Sequence, residues 1–293
     1  MKSSKSLGER LFEFFVYIFL TLLSVVAVYP LLYVLLASFS DPTLIMRHRG
    51  LLIWPQGYSI AAFVAVFKNP NILNGYKNTG FYVIVGTFLN IFLTSLAAYA
   101  LSRKSLQMRG LIMKIMVFTM VFQGGMIPAF LLVNKLGLFN SRWSLILPVL
   151  INTYNFIILR TAFAAVPDSL VESARLDGAN EFVILFRVVF PLSLPTIAVI
   201  TLFYAVYHWN AWFNASIYLR NRELFPLQLI LREILIQNEV SNMTTGSAAA
   251  DAVPIGETIK YASIIVSTLP ILLAYPLLQR YFIKGVMIGA VKG

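Results

Sequence analysis

Six stretches of this chain are apolar over the length a helix needs to cross a bilayer: roughly Leu11–Phe39, Phe81–Leu101, Leu111–Val133, Trp143–Leu159, Leu192–Leu219 and Ala262–Leu278. A hydrocarbon core of about 30 Å takes about 20 apolar residues as helix, and every backbone N–H and C=O must find its partner inside the segment. The runs therefore predict an all-α integral membrane protein with six transmembrane helices. Only 12% of residues are charged, against about 25% in soluble domains. With no Cys there is no disulfide, thiolate metal site or cysteine nucleophile. The net charge of +11 fits loops beside anionic headgroups rather than nucleic acid. Pro30, Pro128, Pro195, Pro270 and Pro276 fall in or at the edges of the runs and predict kinks.

Six spans put both termini on one side. Arg103, Lys104 and Arg109 crowd one short connection, while the opposing one offers Lys135 and Arg142, so both termini are expected in the cytoplasm. Residues 40–78 and 220–260 are then extracytoplasmic and 160–191 cytoplasmic. The first run lacks a small-x-small cleavage site and is expected to stay as a signal anchor. Leu224–Ile236 reads as a short helix, and Thr244–Ala250 as flexible surface loop. The whole of 1–293 reads as a single transmembrane domain, with a core over 75–281 and a polar tail over 282–293.

The span interiors carry no Asp, Glu, Lys or Arg, the groups through which an ion gradient does work. His208 alone is ionisable deep in a run, and it reads as a hydrogen-bonded structural residue rather than a proton relay. HExxH, GxSxG and P-loop patterns are absent as well. Uphill movement would need free energy delivered by a partner through a cytoplasmic contact.

The long inner connection reads Val166-Pro167-Asp168-Ser169-Leu170-Val171-Glu172-Ser173-Ala174-Arg175-Leu176-Asp177-Gly178-Ala179-Asn180-Glu181-Phe182 and runs on to Pro191. Ser169 with Glu172 three residues on is a capping-box pattern, predicting a helix that begins there. Gly178 stands where it would stop, since glycine enters the left-handed C′ conformation without a Cβ penalty. Phe182, Leu185, Phe186, Val189 and Phe190 recur at helical spacing and predict a second helix with those residues facing membrane or core, ended by Pro191. Two short helices hinged at a glycine make a plug for a groove on another protein. The alternative is a hairpin lying on lipid headgroups, but such helices are usually basic. Here Asp168, Glu172, Asp177 and Glu181 outnumber Arg160, Arg175 and Arg187.

Glu172-Ser173-Ala174-x-x-Asp177-Gly178-Ala179, followed by Pro191, resembles the EAA motif of binding-protein-dependent ABC importer permeases, the carbohydrate branch in particular. Ala97-Ala98-Tyr99-Ala100-Leu101-Ser102-Arg103 and the tail from Gln279 to Gly293 agree, the tail being similar to that of maltose-type permeases. The resemblance covers about residues 75–293. It departs at Ser173, where the motif has Ala, and in a longer stretch between the fifth and sixth runs. It implies a type I importer permease fold in the bacterial cytoplasmic (inner) membrane. It also implies a homologous second permease, an ABC ATPase dimer that carries the Mg-ATP, and an extracytoplasmic solute-binding protein. This chain would hold no catalytic residue, metal or cofactor. Ser169, Glu172, Ser173, Ala174, Asp177, Gly178, Ala179 and Pro191 would couple to the ATPase, and Lys292 in the tail would touch the ATPase dimer. The cargo would be an oligosaccharide, with acidic polysaccharide fragments the nearest group.

The fifth run holds Tyr204, Tyr207, His208, Trp209, Asn210, Trp212 and Asn214. Asn210 and Asn214 lie one helical turn apart with Tyr207 on the same side. Amides beside an aromatic face suit a sugar, whose hydroxyls pair with amides while its apolar ring face stacks. An interfacial aromatic belt with interhelical amide bonds explains the same residues equally well. Asn152, Tyr154 and Asn155 in the fourth run and Gln123 in the third join the pathway candidates. Gly124-Gly125 ahead of Pro128 marks a break in the third run. Two rival functions stand beside oligosaccharide import: an importer permease for a non-sugar solute, and a passive channel or scaffold subunit.

Overall fold

The computed structural model describes residues 7–244 and 256–273, and the regular structure of those residues is helical throughout. Expectations that fall on 245–255, on 274–278 at the end of the sixth run and on the tail with Lys292 lie outside the described residues.

The chain divides into two compact units. Among the described residues, the first comprises 7–69, 233–244 and 256–269. Its helices α1 (Leu7–Ser38), α2 (Pro42–Arg47) and α3 (Ala61–Lys68) begin the chain. α1 runs through Pro30 as one helix and leaves Phe12, Phe15, Leu22 and Val25 more than half exposed. An all-round apolar helix of this length needs a lipid surround rather than a protein core. Its last turn packs Ala37 with Ile45 and Leu52, against Tyr33, Leu36 and Tyr261. α2 is capped by Asp41, whose carboxylate accepts the Thr43 and Leu44 backbone N–H groups.

Among the described residues, the second unit takes 70–232 and 270–273. Its described helices are α4 (Pro70–Ser102), α5 (Arg109–Val121), α6 (Met126–Lys135), α7 (Thr153–Ala164), α8 (Asp168–Leu176), α9 (Glu181–Leu192), α10 (Leu194–Trp209), α11 (Phe213–Tyr218) and the start of α12 (Leu227–Thr244). α4 is the axis, packed mainly against α7 and α10. Its buried face is Gly75, Asn78, Thr79, Tyr82, Gly86, Thr87, Asn90, Thr94, Ser95 and Ala98, whereas Ile84 and Phe88 point outward, 70% and 67% exposed. That order inverts a soluble helix, and the reason is the solvent. Lipid tails are as apolar as Ile or Phe, so burying those residues gains little, while small and hydrogen-bonding residues let helix backbones approach.

By length and composition, α1, α4 and the last helix, α13 (Gly256–Leu273), can each cross a membrane. Three bent pairs meet the same test: α5 with α6 at 115°, residues 142–149 with α7 at 51°, and α9 with α10 at 90°. The first bend falls on Gly124-Gly125, as the sequence predicts, with Gly125 at φ +82. Several boundaries move. α4 starts at Pro70, well before Phe81; at about 1.5 Å per residue it is about 50 Å long, so it extends into the expected outer loop 40–78. The fifth run is not one helix. α10 ends at Trp209, Asn210–Trp212 are non-helical, and α11 resumes at Phe213. The short helix expected over Leu224–Ile236 is α12, beginning three residues later.

Candidate functional site

At the loop end of the second unit, α8 begins at Asp168, with Pro167 as N-cap at φ −56 and ψ 131 and no side-chain cap. The expected box between Ser169 and Glu172 does not form, because Ser169 is already the second helical residue and cannot be the cap. Asp168 lies in the first turn, where a negative charge suits the helix N-terminus, and reaches Arg103 at 3.9 Å and Lys104 at 3.5 Å. The stop at Gly178 is as expected. Its φ is +80, its N–H donates to Arg175 O at 3.0 Å, and Ala179 N–H donates to Ala174 O at 3.0 Å. This is the paired bonding of a Schellman end. A Cβ at 178 would meet nothing within 4 Å, so the demand for glycine comes from the backbone alone.

α9 is capped by Asn180, whose side chain accepts Val183 N–H at 2.9 Å. Leu185–Val189 widen into a π turn, and the helix continues past Pro191 to Leu192 rather than ending there. The wider turn shifts the expected apolar face. Ile184, Leu185 and Val189 are buried, Phe190 packs against them, and Phe182 is 63% exposed.

A polar clamp holds both helices to the end of α4. Tyr99 donates its hydroxyl hydrogen bond to Glu181, and Arg175 donates through Nε and Nη2 to Glu181 Oε1, each at 2.9 Å. Arg103 lies 4.8 Å over the Tyr99 ring and donates to Phe163 O at 3.3 Å. The Tyr99 hydrogen bond first, and then Arg175, hold the Glu181 carboxyl below the usual carboxylate range. Ala174 and Ala179 pack on the core made by Tyr99, Phe156, Phe163 and Leu185. Ser173, Glu172 and Asp177 are exposed, and Leu176 is 90% exposed. Of the four acidic residues, Asp168 and Glu181 are thus engaged inside the chain. Glu172 and Asp177 have no ion-pair partner among the described residues and flank an apolar knob.

Higher in the same unit the fourth run breaks. Residues 147–149 are a short 3-10 turn containing Pro148, and α7 starts after Asn152, whose side chain accepts Asn155 N–H at 3.1 Å. The interrupted ladder finds partners across the bundle. Asn90 Nδ2 donates to Val149 O at 2.7 Å and Leu150 O at 2.8 Å, and Asn152 N–H donates to Tyr204 OH at 3.0 Å. Tyr204 OH in turn lies 2.9 Å from Thr94 Oγ1. Irregular backbone at membrane depth survives only where it is repaired by neighbours or lines a cavity. Here it does both: a cavity of about 820 Å³ opens on Gln123, Asn152, Thr153, Tyr154, Asn155, Tyr204 and Tyr207. A second, of about 510 Å³, is lined by Phe203, Val206, Tyr207, Asn210, Phe213 and Asn214.

The pathway candidates divide accordingly. Tyr204, Tyr207, Asn152 and Asn155 line the first cavity, and Tyr207, Asn210 and Asn214 the second. Asn214 Nδ2 donates to Tyr207 OH at 3.2 Å, although a helix break separates them. His208, Trp209 and Trp212 line neither. His208 is wholly buried with Nε2 2.7 Å from Asn90 Oδ1, and Trp209 meets the Tyr76 ring. Sequence reasoning missed Asn90, Thr94 and Gly86. Their signal was the polar and small stripe of α4, hidden inside a run read only as apolar.

Residues 90–288 match the family described as "Binding-protein-dependent transport system inner membrane component". The chain is 43% identical over 97% of its length, and 99% of the relative, to the polygalacturonan/rhamnogalacturonan transport system permease protein YtcP of Bacillus subtilis (strain 168). It is 38% identical to protein LplC of the same organism, over 97% of this chain and 96% of that one. Its fold matches a chain from the crystal structure of a bacterial ABC transporter involved in the import of the acidic polysaccharide alginate. The TM-score is 0.88 at 32% identity, covering 96% of this chain and 100% of that one.

Proposed function

The chain belongs to the family of binding-protein-dependent transport system inner membrane components, and on that premise we propose how it works. It is the permease subunit of an ABC importer for oligosaccharides, a transport subunit rather than an enzyme. It crosses the inner membrane six times with both termini in the cytoplasm, acts as a single permease domain, and pairs with a homologous second permease. A binding protein delivers cargo on the outer face, and an ATPase dimer that holds Mg-ATP drives alternating access from below.

The single observation that carries the coupling role is the outward face of α8. Leu176 projects between Glu172 and Asp177, while the clamp of Tyr99, Arg175 and Glu181 holds the helix from behind. A ligand-driven equilibrium shifts only through a contact that differs between states. A rigid plug with a free face makes such a contact, and a lipid-lying hairpin would not present carboxylates around its exposed leucine. On the outer side of this reading, the amides and rings around the two cavities take sugar hydroxyls and ring faces.

Purification of the full importer separates this reading from a passive channel. A stoichiometric ATPase should co-purify, its hydrolysis stimulated by loaded binding protein, with accumulation of oligosaccharide against a gradient. Equilibration without ATP, or accumulation of an amino acid or peptide instead, would sink it.

A further inference from the structure

Neither cavity is lined by a charged side chain, but two aromatic rings connect one guanidinium to the second. Arg232 Cζ lies 3.6 Å from the centroid of the Trp212 ring, and Trp212 meets Phe213 edge to face at 5.4 Å. Phe213 lines the cavity together with Asn210 and Asn214.

Each half of the stack is fixed independently. Leu227 N–H donates to Thr79 Oγ1 at 2.9 Å, and the start of α12 sits so close to α4 that a Cβ at Gly75 would lie 3.0 Å from Leu227 Cα. Trp212 lies in the break after α10, its N–H donating to Asn210 O at 2.8 Å. Arg232 is exposed and pairs with no carboxylate among the described residues. A guanidinium flat on an indole keeps its N–H edges free, and with its position fixed it can grip a planar carboxylate through two hydrogen bonds.

We propose that Arg232, stacked on Trp212 and joined through Phe213 to the second cavity, is the carboxylate-recognition element of this chain and favours acidic over neutral oligosaccharides. The inference rests on the importer reading above and adds the charge of the cargo. A uronate residue presents hydroxyls for Asn210 and Asn214, an apolar ring face for the aromatic rings, and a carboxylate for the guanidinium. A carboxylate on a docking protein would use the arginine but leave the neighbouring amides and rings without a role, which favours the cargo.

The test is uptake by the full importer in liposomes, with its binding protein, comparing trigalacturonate with its methyl ester. Arg232→Gln should lower the acid-to-ester ratio of kcat/KM about ten-fold, the scale of one charge-assisted hydrogen-bonded pair, through KM for the acid. Arg232→Lys should restore part of the loss, keeping charge without the planar fork. Equal losses on acid and ester, or no change on either, would overturn the assignment and leave the importer reading standing. Weaker binding of cargo-free binding protein to Arg232→Gln liposomes would overturn it in favour of a protein-docking contact. Wild-type liposomes that accumulate only a neutral trisaccharide would overturn it too. Wild-type liposomes that accumulate no oligosaccharide at all would remove the importer reading and this inference together.

Discussion

His208 Nε2 lies 2.7 Å from Asn90 Oδ1 inside the bundle. The Asn90 amide nitrogen is already committed to the carbonyls of Val149 and Leu150, so the histidine is the donor. One asparagine thus joins α10, α4 and the broken fourth run. The imidazole reaches it only because residue 86 has no side chain: a Cβ there would stand 2.5 Å from His208 Nε2.

Gly86→Ala should therefore displace the imidazole and leave Asn90 Oδ1 without its donor. Overpacking of this kind costs about 1–3 kcal/mol. The purified complex should unfold at a lower temperature in detergent, and Gly86→Ala with His208→Ala should recover part of the loss by returning the volume. A single variant as stable as wild type would show that the ring is not confined.

Tyr99→Phe and Glu181→Gln should each loosen α9 from α4 and lower binding-protein-stimulated ATP hydrolysis while the chain still inserts. The pH dependence has a definite sign. The Glu181 carboxyl is held below its usual range by Tyr99 and then Arg175. Its contribution to loop stability is present above the ordinary carboxylate range and lost as pH falls through the depressed value. Hydrogen exchange of residues 168–192 should rise on acidification in wild type and be high at every pH in Glu181→Gln. A flat wild-type profile would contradict the clamp.

Gly178→Asp forces an L-residue to φ +80, a backbone cost of about 1–2 kcal/mol. Glu172→Lys reverses one of the two unpaired charges beside Leu176. Both variants should reach the membrane yet co-purify poorly with the ATPase, or leave its hydrolysis unstimulated. Normal transport by both would return the loop to the lipid surface.

Asn210→Ala with Asn214→Ala should raise KM for oligosaccharide uptake, since both side chains line the second cavity. The paired change at His208 and Trp209, which line neither cavity, should act on stability instead. A kcat loss with KM unmoved in the asparagine double variant would remove the sugar contact.

The chain contains no Cys, so single cysteines report sidedness cleanly. A cysteine at position 173 should react with an impermeant maleimide only after the cell is opened, and one at position 221 from outside. Labelling at 173 in sealed cells would overturn the proposed orientation.

Much of this was legible in the sequence because the controlling physics is local or one-dimensional. Runs long enough for a bilayer, the glycine at α8's end and the Gly124-Gly125 break all depend on residues within a turn or two of one another. The capping box at Ser169 was not realised because the cap shifted to Pro167, a choice between neighbouring turns that propensity alone does not rank. The continuous fifth span was also lost, since Trp212 and its neighbours could have formed helix had the tertiary structure required it.

The sequence by itself determined that this chain carries apolar runs of bilayer length and that the interiors of those runs hold no Asp, Glu, Lys or Arg. Only the tertiary structure decided which polar groups meet. Asn90 against the Val149 and Leu150 carbonyls, Tyr99 against Glu181, and Arg232 on Trp212 join residues 20 or more positions apart in the chain. Hydrophobicity cannot select such contacts in lipid, which is as apolar as the side chains it surrounds. They are selected by close packing of small residues and by the free energy of leaving a buried polar group unpaired.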